Sequence, residues 1–175
     1  MLARTGAAVE RFRTENIRMT NATLDALIAR QTILDDERLI RRTLALYCTL
    51  LDDRRFDDWS QVFTEDAEWI IPGTAFKGRA AIAAGVGATQ PSVVGRVKHL
   101  SHPPAIEFTS FRTARAWSDV VVLSRNREGV WKILAAGRYY DDLEKDDGAW
   151  RLRRRQADID TTTNPLPGLV APPSP

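Results

Sequence analysis

The chain has 175 residues, with 25 Lys and Arg against 23 Asp and Glu for a net charge of +2, and 43% of its residues are hydrophobic. This is the make-up of one globular domain with its own core, and it excludes wholesale disorder. The near-neutral balance argues against a nucleic-acid binder that works by neutralising phosphates, and a single cysteine, Cys48, excludes an internal disulfide framework.

Residues 1–20 read as a flexible N-terminal arm. Arg4, Arg11, Arg13 and Arg18 alternate with Glu10 and Glu15, without the apolar stretch of a secretory signal. Met19 offers a second possible start beside Met1. Ala22–Gln31 is a short helical stretch, and Asp35, Asp36 and Glu37 mark the start of a second helix, where acidic side chains meet the positive end of the dipole. Leu39, Ile40, Leu44, Tyr47 and Leu51 then recur at three- and four-residue spacing, the pattern of an amphipathic helix. Residues 56–63 predict another short helix, 68–71 a strand ended by Pro72-Gly73, and 78–86 a small Ala-rich helix. Five strands follow, at 93–101, 105–109, 112–124, 130–143 and 149–159. Turn signals stand at 126–129 and at Asp146-Asp147-Gly148.

Helices followed by a meander of long strands predict an α+β fold, a curved antiparallel sheet wrapped round N-terminal helices. Residues 21–160 form one domain in this reading. Residues 161–175 hold five of the nine prolines and no charge, so they predict an extended C-terminal tail. Leu166, Leu169 and Val170 within it suit contact with a neighbouring subunit. The longest apolar run, Val120–Leu123, is far short of a membrane span, and a cytoplasmic protein is expected.

Strand alternation then sorts the polar residues. His99 shares its phase with Val93 and Val97; Arg154 shares its phase with Trp150 and Leu152; Asp141 shares its phase with Trp131, Ile133 and Tyr139. Several polar groups from different strands thus point inward, as a mostly apolar pocket requires. Each has a packing alternative. A lone His on an apolar phase is more often a hydrogen-bonded core residue than a catalyst, and this holds for His99; Tyr47 reads also as plain core, and Asp52 as a helix end beside Asp53 and Arg54. A one-residue slip would place Arg153 or Arg155 inside instead of Arg154. Two histidines and one cysteine argue against a Cys/His zinc site, and His99 and His102 point to opposite faces of a regular strand. Gly85-Val86-Gly87-Ala88 follows a helix and lacks the ending of a phosphate loop.

The segment LALYCTLLDDRRFDDW (44–59), the following VFTEDAEW, the Phe76–Arg79 step, the strand carrying His99, and the runs 137–141 and 147–151 resemble the SnoaL-like branch of the NTF2-like superfamily. The likeness covers about residues 22–160 and implies that superfamily's cone, a curved sheet enclosing a pocket. Within it the chain is most similar to the scytalone dehydratase, bile-acid 7α-dehydratase and hexachlorocyclohexane dehydrochlorinase group. That resemblance implies an Asp at the end of the long helix (Asp52) and a His on a following strand (His99). It also implies a Tyr five residues before the Asp (Tyr47) and an Arg on the last strand, Arg154 with Arg155 as the alternative. The second His of scytalone dehydratase falls near Trp117, so that enzyme's own substrate does not carry over.

Imidazole titrates near neutral pH and suits a general base, which a carboxylate can orient. A cation or phenol opposite would stabilise developing negative charge. Together with this chemistry, the resemblance implies a cofactor-independent lyase, a dehydratase-type elimination on a hydrophobic cyclic, carbonyl-bearing small molecule. His99 would be the base, Asp52 its orienting acid, and Arg154 and Tyr47 the charge stabilisers. Trp69, Phe76, Trp117, Trp131 and Tyr139 would shape the substrate pocket, and no metal is called for. Alternatives on the same pocket are an isomerase, a cyclase or an epoxide hydrolase. A further alternative is a non-catalytic subunit resembling the small subunit of ring-hydroxylating dioxygenases. The resemblance implies a homo-oligomer, a trimer or else a dimer. Tyr47 and Asp52 lie about 140° apart on an ideal helix, so they share a pocket only if the helix ends or bends near Leu51.

Overall fold

The computed structural model describes residues 3–89 and 96–161. The helices are α1 (Ala3–Asp52), α2 (Phe56–Ser60) and α3 (Arg79–Thr89). The strands are β1 (Phe63–Ile71), β2 (Thr74–Lys77), β3 (Arg96–Ser101), β4 (Ala105–Phe108), β5 (Thr113–Arg125), β6 (Trp131–Asp146) and β7 (Ala149–Thr161). Val93, the expected first inward residue of its strand, and the expected tail beyond residue 161 lie outside the described residues. The chain forms two compact units, residues 1–38 and 39–175. No helix among the described residues is long and apolar enough to cross a membrane.

The two helices expected before residue 52 are one. Thr32, Ile33 and Leu34 include no glycine or proline, so nothing interrupts the backbone ladder. Asp35 is a surface partner within the helix, accepting from Gln31 at 3.1 Å and lying 3.7 Å from Arg38. α1 also takes in residues 3–20, which the sequence suggests as an arm.

In the second unit the strands form one seven-stranded sheet in the order β2-β1-β7-β6-β5-β3, with β4 paired to β5. The sheet is mixed, not purely antiparallel, because β1 runs parallel to β7. β2 escapes the sequence reading. It forms a hairpin with β1 across Pro72-Gly73, where Gly73 takes the positive φ (+82°) that a Pro-Gly turn needs. The turn at Asp146-Asp147-Gly148-Ala149 is as the sequence predicts. Asp147 (φ +47°) and Gly148 (φ +72°) are both left-handed, the two-residue hairpin that matches strand twist.

Two bulges decide what faces inward. In the β6–β7 ladder Asp142 pairs with Arg154 but Leu143 pairs with Leu152, so Arg153 is an extra residue. One inserted residue reverses the phase beyond it. Trp150 and Leu152 are buried before the bulge, and Arg155 and Ala157 after it. In the β5–β6 ladder Val122 pairs with Ala135 and Leu123 with Ile133, so Leu134 is extra. Leu134 packs against the core, while Trp131 and Ile133 are exposed.

The core joins the 39–52 part of α1 to the inner sheet face through Ile40, Leu44, Tyr47 and Leu51 from the helix and Val120, Val122, Tyr139, Leu143 and Leu152 from the strands. Thr43 Oγ1 donates to the Trp150 carbonyl at 2.8 Å and Arg41 Nη1 to that of Pro104 at 3.0 Å, fixing the helix against β7 and the β3–β4 connection.

Candidate active site

α1 stops where the site needs it to. The Arg55 N–H donates to the Leu50 carbonyl (2.9 Å) and the Arg54 N–H to that of Leu51 (3.1 Å), with Arg54 left-handed at φ +58°. This pair of bonds closes a helix C-terminus, and it makes Asp52 the last helical residue.

Asp52 reaches β3. Its carboxylate accepts from the His99 backbone N–H (3.1 and 3.2 Å) and lies 2.6 Å from His99 Nδ1. Lys98 Nζ stands 3.4 Å away on the solvent side. The two side chains of the pair are buried, 4% exposed for Asp52 and 8% for His99. Burial works to raise the Asp52 pKa. The His99 side-chain and backbone hydrogen bonds outweigh it and hold the carboxyl below its ordinary value. A carboxylate only accepts, so Nδ1 carries a proton, and in the neutral ring Nε2 presents its lone pair. Among the described residues Nε2 has no hydrogen-bond partner.

A second cluster surrounds Tyr47. Arg155 on β7 donates from Nε and Nη2 to the two oxygens of Asp141 on β6, both at 2.7 Å. Both side chains are fully buried. The guanidinium lies between two rings, 3.9 Å from the Tyr47 centroid and 4.2 Å from that of Tyr139. Burial works against the Arg155 charge, and Asp141 more than restores it, so its pKa is raised. Among the described residues Arg155 Nη1 has no hydrogen-bond partner, and neither does Trp59 Nε1, whose ring lies 5.3 Å from that of Tyr47.

The Tyr47 oxygen accepts from Trp69 Nε1 at 3.0 Å. Its own proton is therefore free for another acceptor. Burial pushes its pKa up to about 12, so Tyr47 stays a neutral phenol at neutral pH. Behind it, Phe76 stacks on Trp69 at 5.5 Å. The Phe76 ring fits because Gly85 of α3 has no side chain; a Cβ there would lie 2.3 Å from the ring. Cys48, next to Tyr47 on α1, is buried and feels the charges of Arg155, Asp52 and Asp141. Burial pushes its thiol up to about 11, which keeps it protonated.

The structure thus brings Asp52 to His99, and Tyr47 to Tyr139 and Trp69, with Phe76 behind. Arg154 is not in either cluster: the bulge at Arg153 turns it outward, where it meets Glu68 at 3.5 Å and Gln156 at 2.7 Å. Arg155 takes the inward place. Trp117 is 40% exposed, on the opposite face from the buried Ala116 and Ser118. Trp131, at 43%, lies beyond the Leu134 bulge. Neither lines this site. Trp59 has no signal in the sequence beyond its size. Asp141 is legible as an inward acid, but its partner is not. Among the described residues no group of three or more His, Cys, Asp or Glu is arranged to hold a metal ion.

Comparison with known proteins shows the family. The model of the SnoaL-like domain matches residues 32–156. The gamma-hexachlorocyclohexane dehydrochlorinase of Sphingobium indicum is 30% identical over 155 residues, which are 86% of this chain and 92% of that protein. A solved structure described as a putative scytalone dehydratase from Novosphingobium aromaticivorans is 29% identical, with a TM-score of 0.65 over 76% of this chain and 88% of that one. An NTF2-like protein with a cystatin-like fold from the same organism is 29% identical, with a TM-score of 0.69 over 74% of this chain and 85% of that one. With α1 leading into a curved mixed sheet and most of its length matched, the chain belongs to the SnoaL-like family.

Proposed function

We propose that the protein is a lyase that removes a proton from carbon and expels water or halide from a hydrophobic cyclic small molecule. The observation that carries this reading is the buried His99–Asp52 pair with Nε2 left free. His99 Nε2 takes the proton as the C–H bond breaks. The freed electron pair forms the new C=C bond as the bond to the leaving group breaks. Asp52 holds the ring in the right tautomer and stabilises the imidazolium. The leaving group departs with its electron pair as halide, or as water once a hydroxyl regains the proton from His99. Tyr47, as a neutral donor, and the unpartnered Nη1 of Arg155 stabilise the negative charge that develops. A buried N–H without a partner costs about 1–3 kcal/mol, so an arriving anion is favoured there. The relatives named for dehydrochlorination and dehydration support the same reaction class.

The test is a panel of chlorinated cyclohexanes, including gamma-hexachlorocyclohexane, and hydroxylated cyclic ketones, with products read by mass. Loss of HCl or water supports the lyase. Unchanged mass would mean an isomerase or cyclase, and gain of water an epoxide hydrolase. Turnover of nothing in the panel, together with copurification of a large oxygenase-like chain, would mean a non-catalytic subunit.

A further inference from the structure

The outer face of the sheet is ruled into rows by the strand register. Arg115 of β5 stands opposite Asp142 of β6, and Asp142 opposite Arg154 of β7. Two residues along the strands, about 7 Å, Trp117, Tyr140 and Gln156 form the next row. Two residues further come Asp119, Arg138 and Asp158. The first row therefore reads plus, minus, plus, and the third reads minus, plus, minus. Trp117 and Tyr140 between them are 40% and 42% exposed, and the six charged residues are exposed or half-buried. Neighbours within a row already attract each other, Arg138 and Asp119 at 2.6 Å and Arg115 and Asp142 at 3.8 Å. An aromatic centre with charges at its rim is the make-up of a protein interface.

We infer that this face docks on the same face of a second copy, about a two-fold axis that runs across the strands through the Trp117–Tyr140–Gln156 row. Such an axis lays each strand over its own counterpart and exchanges the first row with the third. Arg115 then faces Asp119 of the second copy, Asp142 faces Arg138, and Arg154 faces Asp158, each contact occurring twice. The middle row faces itself, so the aromatic rings meet at the centre. Sheets stacked face to face lie about 10 Å apart and cross at about 30°, a gap that an Arg and an Asp side chain span together. An axis along β6 instead sets Arg115 on Arg154, Asp119 on Asp158 and Asp142 on itself. That is like charge on like, which costs affinity. Rows of opposite sign at equal distances from an uncharged row are what a self-complementary contact needs; an unrelated partner requires no such symmetry. The inference does not depend on the proposed reaction.

The test is sedimentation equilibrium of the full chain at micromolar concentration. The wild type is expected to hold an even number of copies. Tyr140→Glu sets two carboxylates against each other on the axis and is expected to halve the mass. Asp158→Arg comes to face Arg154 of the second copy and is expected to raise the dissociation constant about tenfold or more. Adding Arg154→Asp exchanges the signs of that pair and is expected to restore the constant to within about threefold of wild type. All these positions are on the surface, so the fold is retained; circular dichroism and urea unfolding check this. A monomeric wild type, an odd number of copies, or an unchanged mass in Tyr140→Glu overturns the inference. Tighter association of Asp158→Arg overturns the axis across the strands, because the axis along β6 sets that position on Asp119.

Discussion

Asp52 and His99 are joined twice, once through the His99 backbone N–H at 3.1 Å and once through Nδ1 at 2.6 Å. The backbone bond fixes where β3 meets the end of α1, and the side-chain bond fixes the ring. One carboxylate therefore sets both the place and the tautomer of the proposed base. Asp52→Asn is expected to keep the backbone contact but remove the anionic acceptor at Nδ1. The 15N spectrum of the wild-type protein should show a protonated Nδ1 and a bare Nε2 on His99. In Asp52→Asn that preference should weaken, and turnover should fall about 10²- to 10⁴-fold, the range for loss of an oriented proton-transfer group. An Nε2-protonated ring in the wild type would remove the base from the proposed mechanism.

Trp69 Nε1 donates to the Tyr47 oxygen and so orients the phenol. Tyr47→Phe removes a charge-stabilising donor and is expected to lower kcat by about 10²-fold or more with little change in KM. Trp69→Phe removes the bond that orients the phenol, together with part of the ring packed on Trp59 and Phe76. It is expected to lower kcat by about tenfold, the worth of one hydrogen bond near 1.4 kcal/mol. In the double variant the Trp69 loss should largely vanish. Full additivity of the two losses would show that Trp69 acts elsewhere.

The two neighbouring arginines of β7 provide a test of the bulge. Asp141→Ala leaves the Arg155 guanidinium buried and uncompensated, and is expected to cost about 3–5 kcal/mol of unfolding free energy in urea. Arg154→Ala removes a half-exposed contact to Glu68 and is expected to stay within about 1 kcal/mol of wild type. Equal losses in the two variants would contradict the inward and outward assignments.

This is also where sequence reading reaches its limit. The hairpin at Asp147-Gly148 is legible because backbone conformation there is set by local residue chemistry. The inward phase of His99 is legible because β3 pairs with β5 in unbroken register. Arg154 and Arg155 are not separable in Arg-Leu-Arg-Arg-Arg-Gln, since the bulge at Arg153 arises from pairing with β6 and has no glycine to announce it. The same holds for Trp131, displaced by the bulge at Leu134. The continuous α1 was obscured for the opposite reason: acidic residues that suit a helix start serve equally well as surface partners within one. Asp52 and Tyr47 were visible as residues, but their separate partners, β3 for one and Trp69 with Arg155 for the other, follow from how the strands are ordered.

Stability should depend on pH at both extremes. The Asp52 pKa is lowered in the folded state, so its contribution is full above the ordinary carboxylate value and drains as pH falls below it. Asp52→Asn should flatten that acid limb. Tyr47 is raised from 10.0 to about 12, so its contribution is full below pH 10 and is lost as pH rises through about 12. Cys48, raised from 9.0 to about 11, adds an earlier alkaline loss. Urea midpoints across pH 3–12 for wild type, Asp52→Asn and Tyr47→Phe would check these signs. An alkaline limb unchanged in Tyr47→Phe would contradict the burial of a protonated phenol.

The most direct measurement is kcat/KM of His99→Ala against wild type, on whichever halogenated or hydroxylated cyclic compound the wild type converts. The pair with Asp52 predicts a fall of about 10²-fold or more, with the product still one of HX or water loss in the wild type. A variant that retains its rate to within about threefold would show that another group takes the proton, and would contradict the role assigned to His99.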